Sequence, residues 1–301
     1  MRFYYCDHHA IPLPAGHKFP MEKYALVRER LSQDSRFTFE RADAAAREAI
    51  ETVHEAGYVR QILGGDVPAA VMRRIGFPWS DGLVRRTLAS VGGTLAATAD
   101  ALRCGWGGNL AGGTHHAFRD AGAGFCVFND IAIAVITFRA AGRFERAAIL
   151  DLDVHQGDGT AAIFRDDPAT FTVSLHGRNN FPFRKQRSSI DIDLADGTGD
   201  VEFLAALESV LPAIRTFRPE ILFYQSGVDA LAGDRLGRLA LTHAGLNLRD
   251  RMVFQFCDDL NLPVVVTLGG GYCAEIRRTA EAHANTFLTA QEIFSASRAA
   301  L

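Results

Sequence analysis

The feature that most constrains this chain is a set of short apolar runs, each of which breaks off into a polar cluster. Ala147-Ala148-Ile149-Leu150 passes without interruption into Asp151-Leu152-Asp153-Val154-His155-Gln156-Gly157-Asp158-Gly159-Thr160. Residues 169–175 end in His176, residues 220–225 in Ser226-Gly227-Val228-Asp229, and residues 262–268 in Gly269-Gly270-Gly271-Tyr272. These runs are apolar on both faces, as in parallel strands covered by helices on each side. Segments with helical spacing lie at 22–31, 42–53, 83–102, 131–139 and 203–215, and another starts near Ala244. Asn129-Asp130 and Thr242 are placed to cap two of them. With a short first strand at 3–6, the pattern predicts an α/β fold, a three-layer α/β/α arrangement around a mainly parallel sheet. Polar residues collect at the C-terminal strand ends, where open parallel sheets build their sites.

At 301 residues, 48% of them hydrophobic, the chain can build a large core, and no linker, charge block or repeat divides it, so a single domain over 1–301 is expected. A net charge of −3 lacks the basic footprint of a nucleic-acid binder. Cys6, Cys104, Cys126, Cys257 and Cys273 are scattered and never form Cys-x-x-Cys, which argues against a disulfide framework or a zinc ribbon and for a reducing cytoplasm. Met1-Arg2 leads directly into Phe3-Tyr4-Tyr5 with no secretory apolar region. No apolar run approaches the roughly 20 residues of a membrane helix. A cytoplasmic protein without membrane insertion is the expectation.

In an extended chain Asp151, Asp153 and His155 would point the same way, two oxygen donors and an imidazole in one row, before Gly157 and Gly159 let the chain turn. A catalytic zinc typically takes three protein ligands and leaves a position open, and Asp153 and His155 with Asp229 offer such a set. Asp-x-His alone fits equally well with acids capping a strand end. The other parts narrow the reading, because each has a task in amide hydrolysis. His115 or His116, released by Gly112-Gly113, can take a proton from water and return it to the leaving amine. Asp151 and Asp158 can accept the histidines' second N–H groups, and Tyr272 can donate its hydroxyl to an oxyanion. His8 and His9 are also adjacent, but a loop setting is the simpler account of them.

Gly-Gly-Thr-His-His at 112–116, Gly-Phe-Cys at 124–126, the 151–160 stretch, Ser-Leu-His at 174–176, Ser-Gly-Val-Asp at 226–229 and Gly-Gly-Gly-Tyr at 269–272 together resemble the zinc-dependent histone deacetylase family. Residues 16–24 and 229–242 look most like its class IV branch and bacterial relatives. The resemblance implies the arginase/deacetylase fold, with zinc, or iron in cells, on Asp153, His155 and Asp229. It implies His116 as principal base and acid, His115 as its Asp151-paired support, and Tyr272 as the carbonyl-polarising group. Phe125 and Phe181 would wall an acyl-lysine channel, with Gly124 and Gly270 beside them, and potassium would sit near Asp151, Asp153, His155, Ser174 and Leu175.

The implied substrate is an acetylated or longer-acylated lysine of a protein or peptide, with a small acylated amine such as an acetylpolyamine as the alternative. A two-manganese arginase-like site needs more carboxylates, and Asp229 is followed by Ala230-Leu231. A haloacid-dehalogenase-type phosphatase would leave the paired histidines unused. A non-catalytic acyl-lysine-binding scaffold would be expected to lack a ligand, a histidine or the tyrosine, and all are present. Arg178, Arg184, Lys185 and Arg187 surround Phe181, a basic rim that disfavours a polycationic polyamine.

Overall fold

The computed structural model describes residues 1–299. In chain order the elements are β1 (Arg2–Tyr5), α1 (Lys23–Leu31), β2 (Thr38–Arg41), α2 (Arg47–Glu51), α3 (Ala56–Gly64), α4 (Ala69–Ile75), α5 (Asp81–Cys104) and β3 (Trp106–Asn109). They continue with α6 (Asp130–Ala140), β4 (Ala147–Asp151), α7 (Asp158–Phe164), β5 (Thr170–Gly177), β6 (Ile190–Leu194), α8 (Asp200–Phe217), β7 (Ile221–Gln225), α9 (His243–Asp259), β8 (Val264–Thr267) and α10 (Ile276–Ala299).

The eight strands form one sheet in the order β2-β1-β3-β8-β7-β4-β5-β6, and every pairing in it is parallel. One row of helices contains α1, α10, α9 and α8, and another contains α5, α6 and α7, giving the three-layer α/β/α fold. Every residue of β3, β4, β7 and β8 is buried, which is why β4, β7 and β8 read as apolar runs; β3, Trp106-Gly107-Gly108-Asn109, is buried without being one. The chain leaves β4 for β5 on one side, and leaves β7 for β8 on the other. Adjacent β4 and β7 therefore form a topological switch point, and the crevice beyond their C-terminal ends is where a sheet of this kind opens to a ligand.

The helix expected over 42–53 is confined to α2. Ala42 N–H bonds to Tyr5 O at 2.9 Å and Ala45 N–H to Leu88 O at 3.0 Å, so the start of that segment is spent on tertiary contacts rather than on helix bonds. The 203–215 helix extends to Asp200–Phe217 and carries Pro212 on its exposed face, where water can satisfy the carbonyl that proline leaves without a donor. Asn129 and Thr242 cap α6 and α9, accepting from Ala132 N and Gly245 N. Among the described residues no helix is long and apolar enough to cross a membrane.

A buried polar network braces the switch point from the α9–α10 side. Arg249, fully buried, pairs with Asp250 at 2.8 Å and donates to Gly227 O at 2.6 Å. Asp250 also accepts from Tyr224 Oη at 2.5 Å and Thr286 Oγ1 at 2.6 Å. Removing one member of such a set strands a buried charge. Arg249→Met is expected to lower unfolding stability by about 3–5 kcal/mol, measured as a lower urea midpoint at unchanged m-value. A loss below about 1 kcal/mol would show that the network is not a support of the fold.

Candidate active site

Strand β4 stops at Asp151, so strand alternation does not bring Asp153 and His155 together. Two consecutive side-chain turns do: Asp151 Oδ1 accepts from Asp153 N at 3.1 Å, and Asp153 Oδ1 from His155 N at 3.0 Å. Asp229, four residues beyond β7, reaches across and accepts from Val154 N at 2.9 Å. His155 Nδ1 then lies 3.0 Å from Asp153 Oδ1 and 3.1 Å from Asp229 Oδ2. Ligand atoms of Asp153, His155 and Asp229, all three residues buried, lie within 4.8 Å of one another.

This donor triangle has the electrostatics of a cation site. Burial pushes the Asp229 carboxyl up to about 7, with Asp153 beside it adding to the effect. Burial acts against the charged His155 too, yet Asp153 and Asp229 outweigh it and raise the imidazole to about 10. Two carboxylates converging on one nitrogen leave the site short of positive charge, and a divalent ion that takes N and O donors fits that need. Gly270 makes the approach possible. Its N–H donates to Asp153 Oδ2 at 2.7 Å, and a Cβ there would meet Asp229 Oδ2 at 1.9 Å.

The loop after β3 supplies the paired histidines, and Asp130 at the start of α6 holds that loop by accepting from Gly113 N, Thr114 N and Thr114 Oγ1. His115 Nδ1 lies 2.7 Å from Asp151 Oδ2, and His116 Nδ1 lies 2.7 Å from Asp158 Oδ1. The two buried rings titrate in opposite directions. For His115 burial is outweighed by Asp151 and Asp153, and its pKa is raised to about 9. For His116 burial and the neighbouring His115 charge outweigh Asp158, and its pKa is lowered to about 4. His115 is thus biased toward holding a proton, whereas His116 is biased toward keeping a lone pair on the nitrogen facing away from Asp158.

Tyr272 follows β8 and lines the same cavity of about 320 Å³ as His115, His116, Asp153 and His155. Burial, with Asp229 and Asp153 adding, pushes its phenol well above the ordinary value, so it remains a hydrogen-bond donor. Phe125 and Phe181 both line this cavity. Phe181 packs edge-on against His116 with centroids 4.9 Å apart, and the Phe125 ring is 6.1 Å from that of Tyr272. Gly124 and Gly270 line it as well; Gly124 has φ +52°, and a Cβ there would meet His116 Cδ2 at 2.5 Å. Asp151 and Ser174 are register partners, and Ser174 Oγ lies 2.9 Å from His176 Nδ1. His8 and His9 lie against each other as tilted rings and do not line the cavity.

Several residues that shape the site carry little signal in the sequence. Asp234 accepts from Leu236 N, Gly237 N and Tyr272 N, fixing the tyrosine's backbone. Gln225 joins the β3 loop to β8 by donating to Gly113 O and accepting from Thr267 Oγ1. Lys23, wholly buried, donates to Gly269 O at 2.8 Å and is pushed down to about 8 by burial, against the pull of Asp229 and Asp153. Lys23 and Asp234 lie within the 16–24 and 229–242 stretches that carry the family resemblance, and Gln225 is the polar end of an apolar run.

A family model described as the histone deacetylase domain matches residues 17–287. An uncharacterized protein of Picosynechococcus is 42% identical over 294 residues, 96% of this chain and 98% of that one. Histone deacetylase 2 of Arabidopsis thaliana is 37% identical over 186 residues, 60% of this chain and 48% of that one, and a probable deacetylase of Methanothermobacter thermautotrophicus is 34% identical over 200 residues, 62% and 59% respectively. The chain thus spans about half the length of these deacetylases. Among solved structures, acetylpolyamine aminohydrolase from Burkholderia pseudomallei superposes with a TM-score of 0.81 at 22% identity, covering 97% of this chain and 99% of that one. The HD domain of HDA15 gives 0.80 at 22% identity, covering 98% and 88%. The fold is theirs, and the match across 17–287 shows that the chain belongs to the histone deacetylase family.

Proposed function

We propose that this protein is a metal-dependent hydrolase that removes acyl groups, acetyl or longer, from lysine side chains of a protein or peptide. The observation that carries the reading is the Asp153, His155, Asp229 donor triangle set in an aromatic-walled cavity beside two histidines, each backed by its own carboxylate. Membership of the deacetylase family supports hydrolysis of acetylated amides. Zinc suits the donor set, and Fe²⁺ takes the same donors. Held there, such an ion supplies Lewis acidity toward an amide carbonyl and toward a water molecule. Potassium near Asp151, Asp153, His155, Ser174 and Leu175 belongs to the same proposal.

The chain's own groups perform the proton work. His116, neutral and oriented by Asp158, accepts the proton of the attacking water and returns it to the departing lysine amine. His115, held by Asp151, supports that proton exchange, and Tyr272 donates its hydroxyl to the developing oxyanion. Phe125 and Phe181 present apolar surface to the alkyl chain of lysine. Arg178, Arg184 and Arg187 lie exposed in the segment around Phe181, which favours a peptide over a polycationic polyamine.

Loading with Zn²⁺ is expected to reach one equivalent in the donor triangle, and chelation to abolish hydrolysis of an acetyl-lysine peptide until zinc is restored. Gly270→Ala should lose zinc affinity by an order of magnitude or more, although no donor is removed, because its Cβ displaces Asp229. Wild-type zinc affinity in this variant, measured by competition with a chelator, would place the ion elsewhere.

His116→Ala and Tyr272→Phe should each lower kcat on the order of 100-fold or more with zinc retained. Near-normal turnover in either variant would remove the assigned role.

The lowered pKa of His116 sets the acid side of the pH profile. Protonation disables the base, and its depressed pKa keeps it unprotonated through neutrality, so kcat/KM should hold from pH 7 down past 6.5 and fall only below that. An acid limb centred above 7 would assign the base to another group.

A further inference from the structure

The cavity runs from an open mouth to a closed interior. Phe183 and Phe181 at its mouth are 86% and 38% exposed, whereas Leu83, Val91 and Ala111, which line its far part, are at most 2% exposed. Arg86 of α5 lines that inner part and is only 6% exposed. Its Nη1 donates to Cys6 O at 3.1 Å, and its guanidinium carbon sits 4.2 Å from the centroid of the Tyr24 ring. Among the described residues no carboxylate pairs with it, whereas the other buried arginine, Arg249, has Asp250.

A buried guanidinium without a counter-charge is costly, and its remaining N–H groups form a planar fork that matches a carboxylate. Lys23 Nζ lies 5.1 Å from the centroid of the same ring but is spent on Gly269 O, so Arg86 is the cation that lines the cavity there. Leu83, Val91, Ala111 and Val127 give the same cavity aliphatic surface. A buried cation in a cavity with such surface fits an anion carried on a short hydrocarbon chain.

We infer that the inner cavity receives an acyl chain ending in a carboxylate, bound by Arg86, so that the amide cleaved joins a lysine amine to one carboxyl of a short dicarboxylic acid. The inference rests on the deacylase reading and names its acyl class. Water supplies hydroxyl to the acyl carbon and a proton to the amine as the C–N bond breaks, releasing lysine and a dicarboxylate with no further reactant. Arg86 acts as a specificity residue, holding the end of the chain away from the scissile bond.

The test compares succinyl- and glutaryl-lysine peptides with their succinamoyl and glutaramoyl counterparts, in which a terminal amide replaces the carboxylate at equal size, and with acetyl-lysine, all on zinc-loaded protein. A desolvated charge-assisted fork contact predicts kcat/KM on the order of 100-fold higher for the carboxylates. Arg86→Gln should collapse that ratio to a few-fold, and Arg86→Lys should keep part of it. Thermal unfolding checks that the variants fold, and if Arg86→Gln does not, the wild-type and Arg86→Lys ratios decide.

Wild-type protein that hydrolyses acetyl-lysine but treats carboxylate and amide alike, or a ratio unmoved by Arg86→Gln, would overturn the inference and leave the deacylase reading intact. Inhibition by acetate that weakens in Arg86→Gln, without any preference among the acyl chains, would show that the guanidinium holds only a released product, and would overturn it as well. Absence of turnover on every peptide would overturn both.

Discussion

The structure depends on keeping two carboxylates, Asp153 and Asp229, ionisable in a dry interior within hydrogen-bond reach of a single imidazole nitrogen. Left alone they would be strongly unfavourable, since each has lost its water. The fold answers first with backbone N–H groups, from Gly270 and His155 to Asp153 and from Val154 to Asp229. It answers next with cations held one step back. Lys23 is drawn by both acids, and Arg249 fixes the backbone beneath Asp229 through Gly227. Even so, Asp229 is pushed up to about 7, which marks a site still lacking positive charge. That shortage connects the local chemistry to the reading of a divalent cation.

The same requirement explains why so much of the site is backbone. Asp153 and Asp229 come from neighbouring strands whose register is fixed by Asp151 lying opposite Gln225, and Gln225 in turn lies opposite Thr267 at the end of β8. Three strand ends therefore arrive level with one another, and short loops need only turn inward. Gly270 supplies an N–H where no side chain would fit, and Gly124 lets a loop pass against the ring of His116. Precision in the donor triangle is thus inherited from sheet register, the stiffest feature available to an α/β protein.

The central strands and the glycine-bounded loops were legible in the sequence because burial on both faces leaves little choice but continuous apolar residues. The edge strands were not. Thr38-Phe39-Glu40-Arg41 in β2 is mostly exposed and reads as polar, and Ile190-Asp191-Ile192-Asp193-Leu194 in β6 alternates with its half-exposed setting. The misread helix over 42–53 shows propensity losing to tertiary contact, since an Ala-rich segment spent its first N–H groups on Tyr5 and Leu88. At the site, Asp153, His155 and Asp229 could be chosen from the sequence by donor type, but the reason they meet could not. Side-chain turns after Asp151, not strand alternation, bring the first two together. The burial of Lys23 and Arg86 lay hidden in helical segments, because burial without a counter-ion is a property of packing and leaves no mark in spacing.

Two adjacent histidines with the same local sequence end up as different chemical groups, and the cause is the charge beyond each carboxylate partner. Asp151 and Asp158 stand at the same 2.7 Å from their respective rings, so hydrogen bonding alone would make the pair equivalent. His115 also feels Asp153, whereas His116 instead feels the charge that His115 has thereby acquired. The first ring is pushed toward holding its proton, and that charge pushes the second toward losing its own. A tandem of this kind separates an acid-like from a base-like imidazole without any difference in residue type, and it does so only because the acids of the donor triangle lie on one side of the pair.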